Sequence, residues 1–430
     1  MKTDQLYNLF KESKGVSTDT RAIKKDQIFF ALWGVNFNGN QYAAEALEKG
    51  AYFAVIDDPS YESDRTILVD DCLFELQALA ARHRKDLKAS VLAITGTNGK
   101  TTTKELIAAI MSKKYRVHFT RGNLNNEIGL PLTILSAPAD TEMMVLEMGA
   151  NHIREIRTLC SIARPDFGII TNIGTAHIEG FGSLEGVVKA KMELYEFLRK
   201  VNGVAIFNDR NPLLTEMIFK FINRAVPYSD PTGIALSVEA LPSDMNLAVK
   251  VKYQHKMHTI QTSLFGSYNL ENVKAAIAAG LFLGVPMDDI ADSLRSYRPE
   301  NNRSEVKKTG SNTLICDAYN ANPISMQVSV KSFSELKADK KILILGDMLE
   351  LGEKSEEEHL KLLDTIRLVN PEKVFLVGQE FRKVSSGSGF QTFRDVVELR
   401  EHLKKEPVKG SLILIKGSRG MTLEKLYDLL

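Results

Sequence analysis

Short apolar runs recur along the chain, each closed by a polar cluster and followed by a stretch whose apolar residues return at helical spacing. The clearest are Val91–Thr95, Met143–Met148, Phe167–Asn172 and Val204–Asn208, and later Thr313–Cys316, Lys341–Leu345, Lys373–Val377 and Ser411–Ile415. Strands buried on both faces read as continuous apolar runs, and strand–helix alternation predicts parallel sheets wrapped by helices. Before residue 87 the runs shorten to Ile28–Leu32, Ala54–Asp57 and Ile67–Val69, with a helical pattern over Tyr42–Lys49. A chain of 430 residues is too long for one core. The breaks in the pattern divide it into 1–86, a small α/β module, 87–298, a central parallel sheet, and 299–430, a third α/β layer. The longest apolar run, Ala275–Met287, is interrupted by Gly280, Gly284 and Pro286 and is too short to cross a bilayer. It reads as one buried helix.

Composition narrows the partners. With 44% hydrophobic and 25% charged residues the chain is globular, and a net charge of +1 offers no field to nucleic acid or an anionic membrane. Small-molecule partners and no membrane insertion follow. Cys72, Cys160 and Cys316 are far apart and lack C-x-x-C spacing, so neither a disulfide framework nor a zinc site is indicated. A reducing cytoplasm fits. The first residues, MKTDQLYNLFKESKG, are charged throughout and have no apolar core of the signal-peptide kind.

The candidate chemistry begins at VLAITGTNGKTTTKE, Val91 to Glu105: a buried strand, a glycine turn, then a helical pattern. Gly96 and Gly99 let consecutive N–H groups curl around one anion, with the helix dipole behind them. Lys100 would reach the β- and γ-phosphates of ATP and the Thr101 hydroxyl would ligate its Mg²⁺. The pattern G-x-x-x-x-G-K-[ST] is not met in full, because Ile94 occupies its first glycine position, and a plain turn between strand and helix is the alternative.

Ligands of parallel sheets gather beyond the carboxyl ends of the strands. Four such ends carry polar clusters: Thr95 onwards, Glu147-Met-Gly149, Thr171 to His177, and Asn208-Asp209. Glu147 would complete the Mg²⁺ shell that Thr101 begins, its alternative being an ion pair with a neighbouring base. His177 is a second candidate ligand. In the helical stretch Gly186–Lys200, Lys191 sits among the apolar face; drawn inward, a lysine turns neutral and can add CO₂ to become a metal-ligating carbamate, whereas a snorkelling lysine keeps its ammonium in water. On composition alone, Asp19 and Arg21 in the STDTR loop are ordinary polar surface.

Together these stretches resemble the Mur ligase family over the whole length: TGTNGKTT, GNLNNEIGLP, EMGANHIREI, TNIGTAHIEGFGS, AKMELY, DAYNANPISM, GDMLELG and KGSRG. The resemblance implies an N-terminal nucleotide-sugar domain, a central P-loop ATPase-type domain and a C-terminal Rossmann-like domain that closes over ATP. It implies ATP, two Mg²⁺ ions and an N6-carboxylysine at Lys191 as cofactors, with Thr95, Gly96, Thr97, Asn98, Gly99, Lys100, Thr101 and Thr102 cradling the phosphates. By matching position, Thr101 and Glu147 hold one Mg²⁺, and His177 with Lys191 the other. Asn269 and Asn272 match residues that approach adenine, and Arg303 and Asp317 the pair brought to the γ-phosphate and ribose. Asn123, Asn125 and Asn126 match the loop facing the muramoyl peptide, Asp19 and Arg21 its uridine side, and Asn320 and Asn322 the incoming dipeptide. Asn38 and Asn40 stand where the family's first domain often has Asp and His, and Asn302 where a glycine is common before the arginine.

The function so implied is ligation of D-alanyl-D-alanine to UDP-N-acetylmuramoyl-tripeptide through an acyl phosphate, by a monomer, with Lys100, His177, Lys191 and Arg303 as the catalytic set. Two rivals are a Mur-type ligase that adds a single amino acid and a catalytically silent sensor of ATP and a cell-wall precursor. The Asn-Pro-Arg motif of the diaminopimelate-adding enzyme is missing from the third unit, and Asn208-Asp-Arg-Asn-Pro212 lies in the central one.

Overall fold

The computed structural model describes residues 3–34, 36–174, 178–300 and 302–430, with Ile178 and Glu179 described through their backbone alone. His177 therefore lies outside the described residues.

The first unit holds β1 (Val16–Ser17) and β2 (Ile28–Phe30), a short antiparallel ribbon of β3 (Trp33–Gly34) with β4 (Phe37–Asn38), then β5 (Phe53–Ile56) and β6 (Thr66–Leu68). Strands β1-β2-β5-β6 make a parallel sheet in that order. The helix Cys72–Asp86 starts at Asp71, whose carboxylate accepts from the Phe74 N–H at 2.8 Å. It packs against Thr3–Glu12 on one side and against Gly129–Leu135 and Glu155–Ala163 on the other. One continuous core thus runs from Leu6 through Leu76 and Leu79 to Leu130 and Leu159. This helix belongs to the first unit and the central one at once.

The central sheet comprises β7 (Ser90–Thr95), β8 (Val117–Phe119), β9 (Met143–Glu147), β10 (Phe167–Ile170), β11 (Val204–Phe207) and β12 (Ala225–Pro227), all parallel, in the order β12-β11-β10-β7-β9-β8. From β7 the chain fills one side with β8 and β9 and the other with β10 to β12. Such a reversal opens a crevice at the carboxyl end of the strand where it happens. The second face is covered by the helices Lys100–Met111 and Leu270–Phe282 and by an antiparallel sheet of β13 (Ser237–Leu241), β14 (Asn246–Tyr253) and β15 (Lys256–Phe265). The apolar run expected as a single helix over Ala275–Met287 is divided: one helix ends at Phe282, Gly284 turns at φ 77°, and another begins at Met287. Among the described residues no helix is long and apolar enough to cross a membrane.

The third unit holds β16 (Glu305–Lys308), β17 (Thr313–Asp317), β18 (Lys341–Gly346), β19 (Lys373–Val377), β20 (Gln391–Phe393) and β21 (Leu412–Lys416), ordered β16-β17-β21-β18-β19-β20. Only the edge strand β16 runs antiparallel to its neighbour. Apolar side chains fill both faces, Leu343 and Leu414 on one and Ile344 and Ile415 on the other. The α/β class and the parallel sheets expected from the apolar runs are the observed ones.

Candidate functional site

Strand β7 delivers the chain to Gly96, at φ 146°, and the turn ends at Gly99, at φ 78°, directly before the helix Lys100–Met111. Both glycines are enforced by contact: a Cβ on Gly96 would stand 2.0 Å from Thr171 Oγ1, and one on Gly99 2.3 Å from Asn272 Oδ1. The loop is pinned to the end of β10. Thr97 N–H donates to Asn172 O at 3.0 Å, Asn98 N–H to Asn172 Oδ1 at 2.9 Å, and Thr171 Oγ1 to Asn98 O at 2.6 Å. Gly174 N–H donates to Thr97 Oγ1 at 2.9 Å. The Lys100 ammonium curls back onto its own loop, donating to Gly96 O at 2.7 Å and Thr97 O at 3.1 Å. Burial pushes that amine below its ordinary range; Glu147 pulls it up and Arg303 pushes it further down.

Glu147 ends β9 opposite Ile94, and the next N–H, that of Met148, donates to Ile94 O at 2.8 Å. This places its carboxylate beside the phosphate loop. The side chain is only 1% exposed; Oε1 accepts from Asn125 Nδ2 at 2.7 Å, and Oε2 is buried without a partner. Thr101, one residue into the helix, is buried as well. A buried carboxylate oxygen with free lone pairs, on a strand that packs against the helix carrying Thr101, is the kind of hard oxygen donor a divalent cation takes, so Glu147 fits Mg²⁺.

Lys191 lies within the helix Leu184–Val201 and is 3% exposed, its Nζ 5.7 Å from the centre of the Phe181 ring. Burial first and Lys100 second push its amine down to about 7, against the pull of Glu155 and Glu193. The snorkelling alternative is excluded. A neutral amine at that position can accept CO₂. Glu193, on the same helix, accepts from the Arg154 and Arg157 N–H groups at 2.8 and 2.9 Å and so holds the start of the helix Glu155–Ala163.

The third unit reaches the loop directly. Asn322 caps the helix Pro323–Ser334, accepting from Ser325 N–H at 2.9 Å, and its Nδ2 donates to Asn98 Oδ1 at 2.7 Å. Along the connecting segment Asn302 and Ser304 are left-handed, at φ 57° and 51°. Asparagine tolerates that conformation, which explains how it can replace the glycine expected there. Arg303 stacks on Tyr319, 3.6 Å from the ring centre, and its Nε is buried without a partner. Asp317 closes β17 with Oδ2 on Lys416 Nζ at 2.6 Å and Oδ1 on Ser304 N–H at 3.2 Å.

Several expected contact residues are engaged within the protein. Asn269 and Asn272 are buried: Asn272 Nδ2 donates to Asn269 Oδ1 at 2.8 Å, Asn272 Oδ1 accepts from Thr103 Oγ1 at 3.1 Å, and Asn269 Nδ2 donates to Phe265 O at 2.8 Å and Ser304 Oγ at 3.2 Å. They brace the back of the phosphate loop against the connecting segment. Asn125 holds Glu147, Asn126 Oδ1 accepts from Gly129 N–H at 2.9 Å, and Asn123 is exposed. Asn320 Oδ1 accepts from the Ala321 N–H. Asp19 and Arg21 form a bidentate pair, Nη2 to Oδ2 at 2.7 Å and Nε to Oδ1 at 2.9 Å, which holds the Asp19 carboxyl at about 2. Asn40 is fully buried and donates to Asp57 Oδ1, which also accepts from the Trp33 indole, both at 2.8 Å. The fourth strand end is tied elsewhere: Asn208 donates to Glu271 Oε2, and Asp209 accepts from Ser229.

Two residues beside the site escape a reading of the sequence: Ser304 and the fully buried Lys104. Lys416 opens the KGSRG stretch at the end of an apolar run, so its strand-tip place is readable from the sequence, while its partner Asp317 is not.

Two family profiles match the chain, the Mur ligase middle domain over residues 94–280 and the Mur ligase, glutamate ligase domain over 302–419. The UDP-N-acetylmuramoyl-tripeptide–D-alanyl-D-alanine ligase of Bacillus subtilis (strain 168) is 37% identical over 96% of this chain and 92% of its own length. That of Escherichia coli (strain K12) is 33% identical over the same shares. Among solved structures, the MurF ligase of Thermotoga maritima in complex with ADP superposes with a TM-score of 0.85 at 28% identity, covering 98% of this chain and 97% of that one.

Proposed function

The chain belongs to the Mur ligase family, and from that premise we infer that it joins D-alanyl-D-alanine to UDP-N-acetylmuramoyl-tripeptide with cleavage of ATP, as a cytoplasmic monomer making a peptidoglycan precursor. The observation that carries the chemistry is the free, buried Oε2 of Glu147 set beside the Gly96–Thr102 loop.

A carboxylate is a poor acceptor for an amine because it is anionic and has no competent leaving group. Here the terminal carboxylate of the tripeptide attacks the γ-phosphorus of ATP in line, ADP leaves, and an acyl phosphate forms. The loop N–H groups and Lys100 take the charge on the transferring group; the ammonium exchanges the carbonyls of Gly96 and Thr97 for phosphate oxygens. Two Mg²⁺ ions, one at Thr101 and Glu147 and one at His177 and a carbamylated Lys191, would neutralise the phosphate charge when bound. Arg303, held against Tyr319, offers its unpartnered Nε to the γ-phosphate. The dipeptide amine then attacks the acyl carbon and phosphate departs. The third unit, already bonded to the loop through Asn322 and Asn98, covers the site and keeps water from the acyl phosphate.

Hydroxylamine supplied in place of the dipeptide tests this reading: a hydroxamate of the tripeptide should accumulate with ADP, and ADP release without hydroxamate would refute the intermediate. Lys100→Ala should lower turnover at least about a hundredfold while nucleotide-sugar binding stays intact, and retained turnover would remove its role. Lys191→Ala should lose activity and regain part of it with short carboxylic acids; no recovery at any concentration counts against the carbamate.

A further inference from the structure

Lys104 is completely buried one turn beyond Lys100 on the same face of the helix Lys100–Met111, yet none of the chemistry above uses it. Burying an ammonium is unfavourable unless its hydrogens are taken up, and a methionine of similar length would fill the space with no such penalty. Its Nζ donates to Thr120 O at 2.7 Å and lies 3.3 Å from Glu105 Oε1. Thr120 is fully buried too, and all of its polar groups are engaged. The N–H donates to Val145 O at 3.1 Å, the carbonyl accepts from Lys104, and the hydroxyl accepts from Glu147 N–H at 3.0 Å. Five residues further on, the loop that leaves Thr120 delivers Asn125, whose amide holds Glu147 Oε1.

Resting on the reading of Glu147 as a metal ligand, we propose that Lys104 is a positioning residue for that carboxylate: by gripping Thr120 it fixes both the backbone beneath Glu147 and the root of the loop that orients its side chain. Glu105 extends the grip, because its Oε2 accepts from Tyr297 OH at 2.7 Å, directly before the segment that leads to Arg303. The helix behind the phosphate loop is thereby tied to the carboxylate on one side and to the connecting segment on the other.

The test compares Lys104→Met, Lys104→Arg, Thr120→Val and Glu147→Gln in the full chain with ADP bound. Mn²⁺ binding is read by the loss of its free EPR signal, alongside the Mg²⁺ dependence of turnover. Partners that orient a metal ligand typically carry about 10- to 100-fold in metal affinity. Lys104→Met and Thr120→Val should each weaken Mn²⁺ binding by that factor, leave the KM for the dipeptide within about twofold, and together do little more than the worse single change, because they cut one chain of contacts. Lys104→Arg should recover part of the loss. Wild-type Mn²⁺ affinity in Lys104→Met beside a defective Glu147→Gln would overturn the proposal alone. Wild-type affinity in Glu147→Gln would remove the premise and the proposal with it. Should Lys104→Met fail to fold, Lys104→Gln, which keeps a polar end but is one bond shorter than the lysine that reaches the Thr120 carbonyl, gives the same decision.

Discussion

At the scale of single residues, the phosphate loop depends on backbone freedom as much as on charge. Gly99 is left-handed and its α-carbon faces Asn272 Oδ1, so Gly99→Ala should cost about 1–2 kcal/mol for the conformation alone, with the clash added to it. Calorimetry should find ATP binding weakened at least about tenfold and thermal stability lowered; unchanged affinity would mean that the loop does not hold the nucleotide. The thiols make a second residue-scale case. Cys72, Cys160 and Cys316 are buried and their thiols are pushed up chiefly by that burial, so a thiol reagent should label none of them in the native protein at pH 8 and all three once it is unfolded. Rapid native labelling would contradict the packing described. Residues whose meaning is carried by a local pattern, such as Lys100 after its glycines or Glu147 at the end of MMVLE, can be located from the sequence. Lys104 cannot, because an internal helix lysine looks the same whether it meets water or the carbonyl of a residue on another element. Asn125 and Asn322 illustrate a different limit: their stretches are recognisable, while their partners, Glu147 and Asn98, depend on how loops from separate elements meet.

At the scale of elements, the junction between Thr3–Glu12 and Cys72–Asp86 holds a histidine whose titration should be visible. His83 Nδ1 lies 3.2 Å from Tyr7 OH and its ring meets Phe10 edge-on, and burial pushes its pKa below the ordinary value. His118, Nε2 2.8 Å from Thr133 O, is depressed by burial in the same way. In both cases the unfolded chain takes up the proton first as pH falls. Their contribution is therefore complete above about pH 6.5 and declines below it. The urea midpoint should fall between pH 7 and pH 5, and His83→Gln should flatten part of that slope; a midpoint independent of pH across that window would contradict it. Continuous apolar runs make the central strands of both large sheets legible. Strands β13 to β15 are not legible in that way, and the turn between β14 and β15 shows why: its left-handed residues are Gln254 and His255, at φ 47° and 61°, where Asn-Gly is the usual hairpin signal. The division of Ala275–Met287 into two helices likewise turns on one left-handed glycine inside an apolar run.

At the scale of the whole molecule, the chain is built from three α/β units, of which the central one and the third meet at the Gly96–Thr102 loop. Their existence is readable from the alternation of apolar runs, but their placement is not, because it is set by contacts such as Asn322 with Asn98 and Asn269 with Ser304. Asn322→Ala should lose about 1 kcal/mol as a helix cap and also the bond to the phosphate loop. Small-angle scattering with ATP and substrate bound should then report a more open particle than wild type, and an equally closed one would mean that this contact does not hold the third unit in place. Transfer of the γ-phosphoryl group to the substrate carboxylate is the step on which the other roles depend. Its most direct measurement uses UDP-N-acetylmuramoyl-tripeptide labelled with ¹⁸O in the terminal carboxylate, turned over with ATP and D-alanyl-D-alanine, with the released phosphate read by mass spectrometry. The predicted result is one ¹⁸O in each phosphate, because the bridging oxygen of the acyl phosphate leaves with phosphorus. Phosphate free of ¹⁸O, released at the rate of ligation, would contradict it.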